Sequence, residues 1–294
     1  MPNARMGNVE IHYDDQYFAD DDPPLLLIAG LGAQLIFFED EFVQGLIDRA
    51  FRVIRLDNRD VGLSTRFADA VDLPLVLSSL AEGREVVPPY TLADMAGDVV
   101  AVLDQLGLES THLLGVSLGG MVAQLVALEH PERVRSLSLL SSTTGAADVG
   151  QPTEEAMAAL LAPGPVGDRD TIIDHDVEIR RVWSTTEHFD EAWTRQYFAR
   201  CYDRSHHPEG VARQMVAVLC AGEREEALRH LDVPTLVMHG TDDKLLAPSG
   251  GARLAELIPD AEYVELEGMG HDLPPHYWAP VIEAITALAV RSNG

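Results

Sequence analysis

Lysine is almost missing from this chain. Of 21 basic residues among 294, only Lys244 is lysine, and 48 acidic residues leave a formal net charge of −27. A surface that negative repels nucleic-acid phosphates and anionic lipid, so nucleic-acid binding and membrane binding are not expected. Cysteine is also scarce. Cys201 and Cys220 cannot staple a fold of this size, and no histidine or carboxylate cluster near them gives metal-ligand spacing. They read as free thiols in a reducing compartment, and no metal is expected. Long apolar runs are absent too: Leu25 to Ala29 falls far short of the roughly 20 residues that a bilayer span requires. Residues Met1 to Tyr13 carry neither an apolar core nor a small-residue cleavage site, so export is not expected and the chain reads as cytoplasmic.

What is present is the composition of a globular protein, 46% apolar and 23% charged, with enough length to bury a core unaided. The first half alternates short apolar runs with amphipathic stretches, the rhythm of a βαβ layer fold. Leu25 to Ala29, closed by Gly30, reads as a strand buried on both faces. Phe51 to Leu56, Thr111 to Gly115 and Val134 to Leu140 read as further strands. The 3.6-residue period over Leu92 to Leu106, stopped by Gly107, predicts a helix, and Leu118 to His130, stopped by Pro131, predicts another. From about Thr144 to Arg229 no apolar β run occurs. Helix-like pieces are separated there by Pro163-Gly164-Pro165 and by His207-Pro208. Strands return at Pro234 to His239 and Ala261 to Leu266, with helices near Gly251 to Ile258 and His276 to Val290. The expected architecture is an α/β core from 1–143 and 230–294, with a mostly parallel sheet flanked by helices. A helical cap from 144–229 is inserted late in the chain, over the sheet edge where such folds bind ligands.

The chemistry gathers at that edge. Gly115-Val116-Ser117-Leu118-Gly119 matches G-x-S-x-G between a strand and a helix, where a sharp turn would expose the serine hydroxyl. A serine needs a base in reach. Among 11 histidines, His271 in Gly268-Met269-Gly270-His271 follows a strand and leaves at the same edge, whereas His239 reads as a strand-end packing residue. A carboxylate is then needed to orient the imidazole. Asp242 and Asp243 follow the strand ending at His239, and Asp243 is favoured of the two. Backbone N–H groups must meet the oxyanion. Leu118 at the helix start and Leu31, in the Gly30-Leu31-Gly32 turn, are the candidates. Phe189, Trp193 and Tyr197 fall at i, i+4 and i+8, one helical face in the cap, either as cap core or as a pocket ceiling.

Together these motifs resemble the α/β-hydrolase superfamily over nearly the whole chain. Gly30-Leu31-Gly32 stands where the family has its His-Gly oxyanion loop, and residues Asp57 to Ser64 are similar to its D-x-R-G-x-G-x-S turn. Gly240-Thr241-Asp242-Asp243 resembles G-x-x-D, and Gly268 to His271 resembles the histidine loop. Within the family the chain looks closest to small serine esterases of the aclacinomycin methylesterase-like group. It departs from the pattern at Ala29, in place of the usual His, and at Asp60, in place of Gly. Phe67 to Pro89 is longer than in many relatives, and Leu73 to Leu80 reads as a pocket wall or a flap. The resemblance implies a serine carboxylesterase for small to medium esters, with Ser117 as nucleophile, His271 as base and Asp243 as its partner, and no cofactor. The expected partner is a small-molecule ester, and a homo-oligomer is left open. The same triad would serve a C–C bond hydrolase, a lactonase, a perhydrolase or an acyltransferase, and a non-catalytic binding protein on the fold is the remaining alternative.

Overall fold

The computed structural model describes residues 2–292. The chain opens with β1 (Asn3–Met6), β2 (Val9–Gln16), β3 (Pro24–Ile28), α1 (Asp40–Ile47), β4 (Arg52–Leu56), α2 (Leu73–Ala81), α3 (Leu92–Leu106), β5 (Thr111–Val116), α4 (Leu118–Glu129) and β6 (Val134–Leu140). Five helices follow: α5 (Glu154–Leu160), α6 (Arg169–Trp183), α7 (Glu191–Arg204), α8 (Pro208–Leu219) and α9 (Glu225–Leu228). The sheet resumes with β7 (Thr235–Gly240), α10 (Ser249–Leu257), β8 (Glu262–Leu266) and α11 (Trp278–Ser292). The eight strands form one sheet in the order β1-β2-β4-β3-β5-β6-β7-β8. All neighbours from β4 to β8 pair in parallel, while β2 runs antiparallel to both β1 and β4.

Apolar alternation builds a layer on each face. Leu26 and Ile28 of β3 face the cluster under α3, α4 and α10, and Leu25 and Leu27 face the one under α1 and α11. All four are fully buried, each contributing about 1.5–3 kcal/mol relative to exposure. Helices α2, α3, α5, α6 and α7 start on side-chain caps. Thr91 and Asp94 close a capping box at the start of α3, and Gly107 ends that helix with a left-handed φ of 67°.

Three elements lie outside what the sequence pattern predicts. Strand β2 carries Asp14 and Asp15, which hide its β character, yet both are neutralised from β4. Arg55 reaches Asp14, and Arg52 holds Asp15 through bonds of 2.8 and 2.6 Å. Strand β1 is too short for a readable period, and α1 offers only two turns. Leu73 to Leu80 is a surface helix that packs on α8, started by the Asp72 side chain accepting from Leu75 N–H. Its Leu75 remains exposed. Phe189 is not on the aromatic face read from its spacing. Asp190 accepts from Trp193 N–H at 3.0 Å and starts α7 after it, so Phe189 instead lies under the Arg181 guanidinium. Trp193 and Tyr197 do stack, with ring centroids 6.4 Å apart.

No helix among the described residues is long and apolar enough to cross a membrane. Within the same residues, no three His, Cys, Asp or Glu side chains gather as metal ligands, and Cys201 and Cys220 are unpaired.

Candidate active site

Strands β3, β5, β7 and β8 end at one edge of the sheet, and the turns after them meet. Ser117 occupies the turn between β5 and α4 with φ 55° and ψ −119°, a region that L-residues rarely adopt. The turn survives because its neighbours lack side chains. A Cβ on Gly119 would overlap the Ile28 carbonyl, and one on Gly115 would overlap the Gly119 backbone. Ser117 N–H donates to Leu140 carbonyl at 2.9 Å, and Ser142 Oγ donates to the Ser117 carbonyl at 2.9 Å, fixing the strained residue from the end of β6 and the loop after it.

His271, beyond β8, lies between Ser117 and Asp243. Its Nδ1 is 2.7 Å from Asp243 Oδ2 and its Nε2 is 3.0 Å from Ser117 Oγ. A carboxylate only accepts, so Nδ1–H donates to it, and Nε2 is left to accept from the serine hydroxyl. Asp243 is buried. Leu245 and Leu246 N–H donate to its Oδ1 at 2.9 and 2.8 Å. Burial alone would raise its pKa, but the charge of His271 and the imidazole hydrogen bonds from His239 and His271 hold it well below the usual carboxylate range. Asp242 is exposed, and its carboxylate accepts from the neighbouring Thr241 hydroxyl.

The Gly30-Leu31-Gly32 turn lies against the serine: a Cβ on Gly30 would stand 3.3 Å from Ser117 Cβ. It is fastened at both ends. Asn58 Nδ2 donates to Ala29 carbonyl at 3.0 Å, and Gly32 N–H donates to Gln214 Oε1 at 2.9 Å. Gln214 in turn donates to Arg59 carbonyl at 2.9 Å. Between these anchors, Leu31 N–H has no acceptor among the described residues, and the same holds for Leu118 N–H at the positive end of α4. Two such donors flanking a serine can hold an oxyanion.

Several polar residues at the site carry no local sequence signal. His239 is fully buried, and besides packing it brings Nε2 within 2.8 Å of Leu246 carbonyl and 3.2 Å of Asp243 Oδ2. Asp57 and Asp60, in the turn after β4, are buried ion-pair partners of Arg204 on α7 and Arg213 on α8. They fasten α7 and α8 to the sheet edge. The sequence marks Asp57 only as part of a turn similar to the family's, and Asp60 only as a departure from it.

A strained serine on a strand-to-helix turn, a histidine and an acid from later strand ends, and a parallel sheet beneath them define a hydrolase architecture. The chain matches the α/β hydrolase fold family over residues 23–274 and belongs to it. It is similar over 311 aligned residues to the rhodomycin D methylesterase DauP of Streptomyces sp. strain C5, with 29% identity covering 98% of each chain. It is also 29% identical over 315 aligned residues to the rhodomycin D methylesterase DnrP of Streptomyces peucetius, again covering 98% of each. Among solved structures, the meta-cleavage product hydrolase CumD of Pseudomonas fluorescens IP01 superposes with a TM-score of 0.77 at 18% identity. That match covers 100% of this chain and 98% of the other, a likeness of fold.

Proposed function

We propose that this chain is a serine carboxylic ester hydrolase acting on small to medium esters. The observation that carries the reading is the continuous array from Ser117 Oγ through His271 to Asp243, with 3.0 and 2.7 Å links. In the proposed reaction Ser117 Oγ bonds to the ester carbonyl carbon while His271 Nε2 takes the hydroxyl proton. The carbonyl oxygen becomes an oxyanion facing Leu31 and Leu118 N–H. As it collapses, the C–O bond to the alcohol breaks and His271 returns its proton to that alcohol. Water then attacks the acyl-serine, giving its proton to His271, and the carboxylic acid leaves as Ser117 regains its hydrogen. Asp243 remains ionised and faces the imidazolium in both steps. No cofactor enters this sequence.

The helices between β6 and β7 serve as a cap from 144–229 over a core of 1–143 and 230–294. The ion pairs of Asp57 and Asp60 with cap arginines support that division. The −27 charge supports a protein that works away from nucleic acid and anionic membranes, and the unpaired Cys201 and Cys220 fit the reducing cytoplasm. The two relatives named as methylesterases make a methyl ester the first substrate to try.

The test is a panel of methyl and p-nitrophenyl esters from acetate to palmitate, beside a lactone and a diketone. Ser117→Ala, His271→Ala and Asp243→Asn are each expected to lower kcat by about 10³-fold or more, with double variants little worse than the worst single one. A Ser117→Ala protein that keeps most of its turnover would sink the mechanism. A faster rate on the diketone or lactone than on any ester would move the chain to the C–C hydrolase or lactonase alternative.

A further inference from the structure

The loop bearing His271 is held from two sides, and one side belongs to the helical insert. At the end of α6, residues 183–185 run against residues 270–272. His271 N–H donates to Trp183 carbonyl at 2.7 Å. Gly270 N–H donates to Thr185 Oγ1 at 2.9 Å, and that same hydroxyl donates to Asp272 Oδ1 at 2.6 Å. Thr185 N–H adds contacts of 3.2 Å to both Asp272 carboxylate oxygens. The two backbones touch directly: a Cβ on Gly270 would overlap the Trp183 carbonyl and the Ser184-Thr185 peptide. Thr185 is fully buried. Its hydroxyl accepts from the backbone N–H of one neighbour of His271 and donates to the side-chain carboxylate of the other, so one side chain ties down both neighbours of the base.

We propose that Thr185, with Asp272, is a positioning residue for His271. It sets the loop so that Nε2 meets Ser117 and Nδ1 meets Asp243 together, and it makes the competence of the base depend on the seated insert. The proposal rests on the hydrolase reading above. The reason for a kinetic role is geometric. Asp243 fixes one imidazole nitrogen and hence a hinge, but the Nε2 to Ser117 distance also depends on where the His271 backbone stands. A misplacement near 1 Å costs about 10²-fold in rate. Removing the Thr185 hydroxyl leaves Gly270 N–H and a lone pair of Asp272 without their partner, and the cheapest repair is a shift of that loop.

The experiment compares Thr185→Val, which keeps shape but loses the hydroxyl, with Thr185→Ser, which keeps it. Steady-state kinetics on a p-nitrophenyl ester are read beside the rate of Ser117 labelling by a fluorophosphonate, which needs the activated serine but no natural substrate. Thr185→Val is expected to lose about 10- to 100-fold in kcat and in labelling rate, with KM within about threefold of wild type. Thr185→Ser should stay within about threefold on all three. A purely structural clasp would lower the melting temperature of Thr185→Val and leave kcat and labelling alone; that result overturns the proposal. If Thr185→Val does not fold, Asp272→Ala is read by the same criteria, and unchanged labelling in it also overturns the proposal. Wild-type protein that labels at Ser117 but hydrolyses no ester would defeat the ester reading and leave the labelling test of Thr185 in force. Wild-type protein that neither labels nor turns over would defeat both.

Discussion

His239 Nε2 lies 3.2 Å from Asp243 Oδ2, the oxygen that also faces His271 Nδ1 at 2.7 Å. The other partner of that Nε2 is the Leu246 carbonyl at 2.8 Å, so both are acceptors and the proton of His239 belongs on Nε2. Its Nδ1 is buried with no hydrogen-bond partner among the described residues, and the ring edge is packed so tightly on Gly251 that a Cβ there would overlap Nδ1. The acid is thereby aimed by four N–H donors, two from the backbone and two from imidazoles. Replacing His239 by Phe removes one of them. A hydrogen bond to a charged group contributes about 1.5–3 kcal/mol, so His239→Phe is expected to lower kcat at least about tenfold. His239→Gln, whose Nε2 amide can stand in the same place, should recover most of it. Equal rates in the two variants would mean that His239 only fills space.

Asp60 stands in a turn with φ 68°, where the family has Gly, and is fully buried. Its compensation comes from α8. Arg213 donates to both carboxylate oxygens at 2.8 and 2.9 Å, and the Phe67 N–H donates to one of them at 2.8 Å. The two residues therefore answer each other across 153 positions of sequence. Breaking a buried pair from one side leaves an unpaired charge, at a cost of about 3–5 kcal/mol. Arg213→Met should lose that much stability in urea melts. Asp60→Gly should lose somewhat less, because it also relieves a positive φ. The double variant should be more stable than Arg213→Met alone. Losses that simply add would show that the pair does not hold the insert down.

These two relationships also mark how far the sequence could be read. Strand β3, the turn at Ser117 and the loops of Asp243 and His271 were legible because each depends on a local pattern: an apolar run, a pair of glycines, a position just past a strand. Residues that act through distant partners leave no such pattern. Gln214 is an ordinary polar residue on an amphipathic helix until it meets Gly32, 182 positions away. Thr185 and Asp272 look like loop residues until the fold sets them 87 positions apart in sequence and 2.6 Å apart in space. Strand β2 was hidden for the same reason, since Asp14 and Asp15 disfavour a buried strand unless ion-paired, here with Arg55 and Arg52.

His112 on β5 gives the fold an acid sensitivity of its own. It is buried, with Nδ1 2.8 Å from Ser136 Oγ and Nε2 without a hydrogen-bond partner among the described residues. Burial, aided by the nearby Arg135 charge, pushes its pKa down to about 4 from 6.5. The unfolded chain takes this proton near pH 6.5 while the folded one refuses it until about pH 4, so unfolding takes up a proton in that window. Stability is therefore lost as pH falls from about 6.5 to about 4, by about 1.4 kcal/mol per unit and ~3 kcal/mol in all. His112→Asn removes the titrating group while its amide can still meet Ser136. Urea melts across that window should show a shallower decline for the variant. Parallel curves would mean that His112 takes its proton alike in the folded and unfolded chain.

Ser117 offers a test of strain that does not depend on identifying the substrate. Its φ of 55° with ψ −119° suits glycine, and holding any side chain there costs about 1–3 kcal/mol. Ser117→Ala and Ser117→Gly both lose the hydroxyl and its 3.0 Å contact with His271, so that loss cancels between them. What differs is the Cβ, which in wild type faces the position a Gly30 side chain would take, 3.3 Å away. Glycine gains by relief of strain and loses about 0.5–1 kcal/mol through the freedom of the unfolded chain. The net expectation is that Ser117→Gly is about 1–2 kcal/mol more stable than Ser117→Ala, with both inactive. Paired denaturant melts decide it. A glycine variant no more stable than the alanine one would mean that the turn holds its serine without stored strain, and that the hydroxyl is presented by the surrounding glycines alone.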